Sequence, residues 1–150
     1  MKILLSAISA SRPNARGSFA PLIEEYVKRS ARYAQTSYRS FSLEADLLGF
    51  LQESATRTRP HLLLADSQGQ QLSSPELAAL LGQQFDAGTQ TLIFAIGPAD
   101  GWSAAARKRA DKLVAFGRIT LPHELAAVVA AEQLYRALTI RAGHPYHSGH

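Results

Sequence analysis

Apolar residues fall in short, uninterrupted runs along this chain, and these runs constrain the fold more than any other feature. In Lys2–Ile8, His61–Asp66 and Thr91–Ile96 the apolar residues occupy successive positions instead of every second one. A strand with one solvated face alternates apolar and polar residues, so continuous runs predict strands buried on both faces of a parallel sheet. Ser37–Leu43 and Leu113–Phe116 are two weaker strand candidates.

Helical patterns lie between or after these predicted strands. They cover Asn14–Arg32, Glu44–Thr56, Leu77–Phe85, Ser103–Asp111 and Glu124–Arg141. Ser74 is the predicted N-cap of the third helix, with Pro75 in its first turn. The alternation predicts an α/β fold, a mainly parallel sheet flanked by helices. A chain of 150 residues is of a size to form one domain, residues 1–150.

Composition narrows the classes of protein to consider. No apolar run approaches the roughly 18 residues needed to cross a bilayer. The first run starts like a signal peptide, but Arg12 and Arg16 follow where a cleavage site would stand. The absence of cysteine excludes disulfides and thiolate metal sites. We therefore expect a cytoplasmic protein that does not associate with membranes, and its net charge of +4 is compatible with a polyanionic partner.

Three loops are the candidate binding elements, because parallel sheets bind ligands at the carboxyl ends of their strands. They are Asp66–Ser73, Gly97–Trp102 and Gly117–Pro122. Each loop taken alone is equally consistent with an ordinary turn. The second is neither a Walker A loop nor a dinucleotide fingerprint, and the chain lacks the Gly-x-Ser-x-Gly elbow of many hydrolases. Together the loops predict one site, assembled in the C-terminal two-thirds of the chain.

The last predicted helix carries an apolar stripe and a charged pair. Its apolar residues at near-helical spacing are Leu125, Val128, Val129, Leu134, Tyr135 and Leu138. Such a stripe predicts core or dimer contacts. Glu132 and Arg136 are four residues apart and are expected to pair along one face.

The C-terminal tail is rich in imidazole and aromatic groups. Three of the five histidines fall in the last seven residues, together with Tyr146. Tyrosine and histidine beside arginine suit RNA, since a ring stacks on an unpaired base while imidazole and guanidinium meet phosphate. No carboxylate follows Glu132, and His144 and His147 flank a proline, so we expect no metal site.

The chain resembles a known family, the ribosomal RNA large subunit methyltransferase H enzymes of the SPOUT class. The residues that carry the resemblance are Leu121-Pro122-His123, Glu132-Gln133-Leu134-Tyr135-Arg136-Ala137 and His144-Pro145-Tyr146-His147. Ile96-Gly97-Pro98 with Gly101, and Ser73-Ser74-Pro75-Glu76-Leu77-Ala78, support it. The resemblance is specific from about His61 to the C-terminus and loose before that residue.

The resemblance implies a fold, a cofactor and a reaction. The C-terminal part of the sheet would be tied in a trefoil knot, which is rare among protein folds. The protein would be a homodimer that binds S-adenosylmethionine and methylates N3 of a pseudouridine in 23S rRNA of the ribosome.

The resemblance also implies which residues form the site. The cofactor would contact Ala65, Ile96, Gly97, Phe116, Gly117, Arg118, Ile119, Thr120 and Leu121. On the RNA side, His144, Tyr146, His147 and Arg136 would serve the active site of the partner subunit.

Three places depart from the family pattern, and one of them is Ile8-Ser9-Ala10, where the family has a glycine turn. The family has a second glycine where this chain has Ile96, and leucine where it has Ala65. The added side chain of Ile96 is the reason to consider an alternative function, a non-catalytic ribosome- or RNA-binding domain that retains the knotted fold.

Overall fold

Five parallel strands form one sheet in the structure, a computed structural model that describes residues 1–9, 18–55 and 57–148. The strands are β1 (Lys2–Ile8), β2 (Gln35–Phe41), β3 (His61–Gln71), β4 (Thr91–Ile96) and β5 (Lys112–Ala115). Their order across the sheet is β2-β1-β4-β3-β5, and every neighbouring pair is parallel. This arrangement confirms the predicted fold class.

Helices cover both faces of the sheet. They are α1 (Ala20–Ser30), α2 (Glu44–Ser54), α3 (Ser74–Asp86), α4 (Ala104–Arg109) and α5 (His123–Arg141), followed by a 3-10 turn at Pro145–His147. Side chains of α1, α3 and α5 pack in one core cluster, and those of α2 and α4 pack in a second cluster on the other face. No helix in the described ranges is long and apolar enough to cross a membrane.

The central strand β4 shows why its apolar run is continuous. Leu92, Phe94 and Ile96 belong to the core cluster on one face of the sheet. Ile93 and Ala95 belong to the cluster on the other face. Because both faces are buried, the positions from Leu92 to Ile96 do not favour polar residues.

Several predicted boundaries were wrong. The first helix begins at Ala20, and the predicted start at Asn14 lies outside the described residues, as does the predicted end of α2 at Thr56. β2 lies two residues earlier than predicted, and β5 runs from Lys112 to Ala115, one residue earlier. α4 ends at Arg109 instead of Asp111.

The N-cap of α3 was assigned to the wrong serine. Ser73, not Ser74, accepts a hydrogen bond from the backbone N–H of Glu76, and the Glu76 carboxylate accepts one from the Ser73 N–H. This reciprocal capping box satisfies two N–H groups at the start of the helix, and these hydrogen bonds lower the pKa of Glu76. Ser74 instead donates from its hydroxyl to Gln133 on α5, at 2.6 Å.

The predicted loop Asp66–Ser73 is largely strand. β3 continues to Gln71, and its pairing with β5 is interrupted only between Ala65 and Gln70. Gly69 lies within this irregular stretch, where an added Cβ would stand 2.6 Å from the backbone of Leu113 and Val114. Only glycine permits so close an approach of the two strands.

Asp111 joins the end of α4 to the start of β3. Its carboxylate accepts hydrogen bonds from the Arg59 guanidinium and from the Leu62 backbone N–H, the latter at 2.7 Å. The side chain is 19% exposed. Burial alone would raise the pKa of Asp111, but these hydrogen bonds and the charge of Arg59 outweigh burial and lower it.

Replacing Asp111 with Asn is expected to lower the free energy of unfolding by about 1–2 kcal/mol at pH 7. This is less than a fully buried carboxylate with the same hydrogen bonds would contribute, because water screens the partly exposed group. The folded carboxylate has the lower pKa, so its contribution is present above the unfolded pKa and is lost as the pH falls through the folded pKa. Urea denaturation should therefore give a wild-type advantage that is constant from pH 7 to 5 and shrinks below about pH 4. The exposed Asp100→Asn variant is the control, and an equal loss in that variant would contradict the assignment.

Candidate active site

A cavity of about 660 Å³ opens at the carboxyl ends of β3, β4 and β5. The parallel strands end at the same edge of the sheet, and His123 and Ala126 at the start of α5 also line the cavity. Eight of the nine residues predicted to contact a cofactor line it; the exception is Arg118, which is exposed. The three regions that the sequence singled out, around Ala65, Gly97 and residues 116–121, therefore come together in one place.

Gly97 is required here for a reason that the sequence did not suggest. A Cβ at this position would lie 2.8 Å from Cε2 and 2.9 Å from Nε1 of Trp102. The indole donates from Nε1 to the carbonyl of Ala65 at 2.8 Å, which joins the end of β3 to the loop after β4. Because Gly97 has no side chain, the indole of Trp102 can pack directly against its backbone. The positive φ in this loop belongs to Gly101, at 88°.

The loop after β5 combines a glycine turn with an exposed tip. Gly117 has a φ of 94°, which favours glycine, and the preceding Phe116 packs edge-on against Phe94 at 6.0 Å. Ile119 at the tip is 70% exposed although it lines the cavity. The loop is thus anchored at its start, and its tip offers apolar surface and non-helical backbone to a ligand.

An ion pair on the cavity wall was missed as a site feature. Arg107 lies with its Nε 2.9 Å from a carboxylate oxygen of Asp66, whose side chain is only 3% exposed. That Nε makes no hydrogen bond of acceptable geometry, so the contact is mainly a charge attraction. The signal available in the sequence was Asp66 itself, a charged residue directly after an apolar run. The pair places both signs of charge beside the cavity.

Ile96 does not occupy the cavity to the extent that its size suggested. It is 3% exposed and belongs to the core cluster with Phe94 and Leu92. Most of its side chain is therefore directed into the core, and the cavity keeps its volume beside it.

The tail folds back onto α5 and is held there by Glu132. One oxygen of this carboxylate accepts hydrogen bonds from Arg136, at 2.6 and 3.0 Å, and from the Tyr146 hydroxyl at 3.0 Å. The other oxygen accepts from Gln133 at 2.6 Å. The predicted pairing of Glu132 with Arg136 is thus confirmed. This carboxylate joins the tail to α5.

Aromatic packing fixes the ring of Tyr146. It stands edge-on against Tyr135 with ring centroids 4.7 Å apart, and the Arg136 guanidinium lies 4.8 Å from its centroid. Tyr26 and Tyr33 of the α1 region also approach Tyr135, with ring centroids at 6.1 and 6.3 Å. Tail, α5 and α1 therefore share one aromatic cluster.

The titratable groups of the tail are arranged to donate hydrogen bonds. Burial and the hydrogen bond to Glu132 raise the pKa of Tyr146 to about 12, so its hydroxyl stays protonated near neutral pH. Guanidinium only donates, so Nδ1 of His147, 3.1 Å from Arg136, is an acceptor. Nδ1 of His144 accepts from the Tyr146 backbone N–H at 3.2 Å. In their neutral forms both imidazoles then carry the proton on Nε2.

The tail and the cavity are separate within one chain. The cavity ends at Ala126 near the start of α5, whereas the tail packs at Glu132, Tyr135 and Arg136. With a rise of 1.5 Å per residue, these contacts lie roughly 9–15 Å farther along the helix. The structure thus collects the four predicted RNA-side residues into one cluster but does not bring that cluster to the cavity of the same chain.

Within residues 1–9, 18–55 and 57–148 there is no group of three or more His, Cys, Asp or Glu side chains that could hold a metal ion.

Comparison with known proteins shows which family the chain is similar to. A family described as predicted SPOUT methyltransferase matches residues 1–147. Ribosomal RNA large subunit methyltransferase H of Koribacter versatilis is 50% identical over 129 residues, covering 86% of this chain and 88% of that protein. The protein of the same name from Sphingopyxis alaskensis is 44% identical over 145 residues, covering 97% and 96%.

A solved structure shares the fold. A crystal structure of an RNA 2'-O ribose methyltransferase superposes with a TM-score of 0.51 at 16% identity, covering 94% of this chain and 57% of the other. At that identity the likeness shows the fold alone, and the chain spans little more than half of the other molecule.

Proposed function

Because this chain belongs to the SPOUT methyltransferase family, we propose that it transfers a methyl group from S-adenosylmethionine to ribosomal RNA. Membership of the family also indicates the knotted form of the α/β fold. The observation that carries the proposal is the 660 Å³ cavity, whose lining includes eight of the nine residues expected to contact the cofactor.

The cavity suits this cofactor in size and chemistry. Its volume lies within the roughly 300–1,000 Å³ typical of small-molecule sites. Phe116, Ile119 and Leu121 offer apolar surface for the adenosine, and the loop backbones offer N–H and C=O groups. The ion pair of Asp66 and Arg107 offers both charges to the amino and carboxylate groups. When bound, the cofactor supplies a methyl group on a positively charged sulfur, already a strong electrophile.

We propose N3 of a pseudouridine in 23S rRNA as the acceptor, as the resemblance implies. This nitrogen would lose its proton as its bond to the methyl carbon forms, while the bond between that carbon and the sulfur breaks and the sulfur leaves as a neutral thioether. His144 and His147 hold their own protons on Nε2 while Nδ1 is engaged, and Tyr146 stays protonated. His144 and His147 therefore donate from Nε2 to the RNA and position it, Tyr146 holds the tail on α5 through its hydrogen bond to Glu132, and the N3 proton leaves to solvent.

The separation of tail and cavity supports a homodimer in which each tail serves the partner's cavity. The neighbouring Arg136 takes part through its hydrogen bond to His147. An enzyme of ribosomal RNA acts where ribosomes are, and we propose a cytoplasmic location.

The alternative of a non-catalytic RNA-binding domain rested on Ile96. Since that residue is 3% exposed and packs in the core, it gives this alternative no support.

We expect S-adenosylmethionine to bind with measurable heat in a calorimetric titration. Large-subunit RNA from cells that lack the protein should then gain one methyl group at a single pseudouridine, detected by mass spectrometry of nuclease fragments. Binding of the cofactor with no gain in RNA mass would contradict the proposed acceptor. Absence of both signals would contradict the proposed function as a whole.

A further inference from the structure

A basic patch lies at the edge of the sheet opposite to the cavity. It consists of Arg57 and Arg59, which precede β3, and of Lys108, Arg109 and Lys112, which lead from α4 into β5. These two strands are neighbours, and they pair near their starts, with Leu63 opposite Lys112. Arg59 and Arg109 both contact Asp111, so two stretches that are far apart in the sequence bring positive charges together near the starts of β3 and β5.

The patch holds the whole positive excess of the chain. Sixteen Lys and Arg residues against twelve Asp and Glu residues give the net charge of +4. The five basic residues of the patch and its one carboxylate, Asp111, also give +4, so eleven basic and eleven acidic residues remain elsewhere. The five basic residues and Asp111 give this region a net charge of +4, which attracts a polyanion.

Two of the guanidinium groups are held in place. Arg59 donates to Asp111 and also to the carbonyl of Arg109, at 3.2 Å. Arg109 donates to the carbonyl of Pro60 at 3.0 Å and lies 3.5 Å from the same carboxylate. Fixed guanidinium groups lose little entropy when their remaining N–H groups meet a phosphate.

Stabilisation of a helix end accounts for only part of the patch. Lys108 and Arg109 stand in the last turn of α4, where cations offset the helix dipole. Arg57, Arg59 and Lys112 belong to no helix, so the dipole gives no reason for their charge.

The surface chemistry indicates the class of partner. Protein interfaces have apolar or aromatic centres. The exposed large apolar side chains of the described residues, Phe19, Leu22, Leu43, Ile119 and Leu125, all lie outside the patch. A surface of fixed and flexible cations without apolar anchors suits a phosphodiester backbone. We propose that the basic patch binds the phosphate backbone of structured RNA, as an anchor separate from the cavity.

This inference rests on the proposed function for the identity of the RNA. Five residues of β3, from His61 to Ala65, separate the patch from the cavity. At 3.3 Å per residue this is about 16 Å. A folded ribosomal RNA spans such a distance, whereas a free nucleotide does not.

The test compares two double charge reversals. Arg57→Glu with Lys108→Glu alters the patch at two exposed residues. Lys2→Glu with Arg32→Glu makes the same change of charge at exposed residues. These two residues lie near the starts of β1 and β2, on the opposite side of the sheet order from β3 and β5. The probes are an RNA duplex of arbitrary sequence, large-subunit ribosomal RNA and poly-glutamate, each titrated at several salt concentrations.

We expect the patch variant to bind both RNAs at least tenfold more weakly. The number of counterions released on binding, obtained from the salt dependence of the affinity, should fall by about two. Its affinity for S-adenosylmethionine and its kcat at saturating RNA should be unchanged, while KM for RNA rises. The control should stay within about threefold of wild type, as expected for cations that contact no phosphate.

Equal losses in the two variants would overturn the proposal, because charge alone would then explain them. Poly-glutamate bound as tightly as RNA, with the same dependence on the patch, would also overturn it, in favour of an acidic protein. If the wild type binds RNA through the patch but transfers no methyl group, the proposed function fails and the patch stands.

Discussion

Removal of residues 144–150 is expected to abolish methyl transfer to ribosomal RNA while the affinity for S-adenosylmethionine changes by less than threefold. The tail packs at Glu132, Tyr135 and Arg136, away from the cavity of its own chain. Loss of groups that position a substrate reduces turnover by roughly a hundredfold or more, since alignment of donor and acceptor is the main task of the protein here. Calorimetry measures the affinity, and transfer of labelled methyl groups measures the rate.

A milder variant guards against loss of structure. Glu132→Gln keeps the shape of the side chain but removes the charge that holds Arg136 and Tyr146. We expect a reduction of methyl transfer by roughly ten- to a hundredfold with the cavity intact. Glu53→Gln, at an exposed position on α2, is the matched control and should retain full activity.

If the protein forms the proposed homodimer, mixed dimers would show which cavity each tail serves. A subunit without its tail is paired, through two different affinity tags, with a subunit whose cavity is blocked by Gly97→Val. If the tail serves the partner, each mixed dimer has one complete site and about half of the wild-type activity. A mixed dimer without activity, formed from subunits that both fold, would assign the tail to its own chain and contradict the proposed arrangement.

Continuity of apolar residues made part of the fold predictable. The bounds of β1 and β4 agree with prediction because the inner residues of both strands are buried on both faces of the sheet, which requires a continuous apolar run. β2 is an edge strand with several exposed residues, and a weak apolar pattern placed it two residues late.

Other features depended on contacts between distant residues. The extension of β3 requires Gly69 to contact the backbone of Leu113, and nothing in the sequence around either residue predicts this contact. The packing of Trp102 into the space at Gly97 is likewise a tertiary contact. The N-cap of α3 could have been predicted from the sequence, because Ser73 and Glu76 have the spacing of a capping box.

The candidate site was predictable as a set of loops but not as a set of side chains. Parallel topology places strand ends together, which is why the regions of Ala65, Gly97 and Gly117 meet. The ion pair of Asp66 and Arg107 joins the end of β3 to α4, so it exists only once the chain is folded.

Gly97→Ala is expected to reduce the affinity for S-adenosylmethionine by at least tenfold and to lower the free energy of unfolding by about 1–3 kcal/mol, the usual cost of overpacking. The added Cβ would lie 2.8 Å from the Trp102 ring, so the indole must move away from the Ala65 carbonyl, and the ends of β3 and β4 beside the cavity shift with it. Backbone strain is not the cause, since Gly97 is absent from the glycines with positive φ. Calorimetric titration of the cofactor and urea denaturation measure the two effects.

The double variant Gly97→Ala with Trp102→Leu separates this contact from a general effect of the substitution. Trp102→Leu alone should destabilise the protein, because it removes a buried ring and its hydrogen bond. Once the ring is gone, adding the Cβ at Gly97 should cost less than about 0.5 kcal/mol, so the two changes are strongly non-additive. Gly82→Ala, on α3 with open space around the added Cβ, should be neutral or stabilise by up to about 1 kcal/mol. An equal cost of Gly97→Ala with and without the indole would show that the ring does not determine the need for glycine at this position.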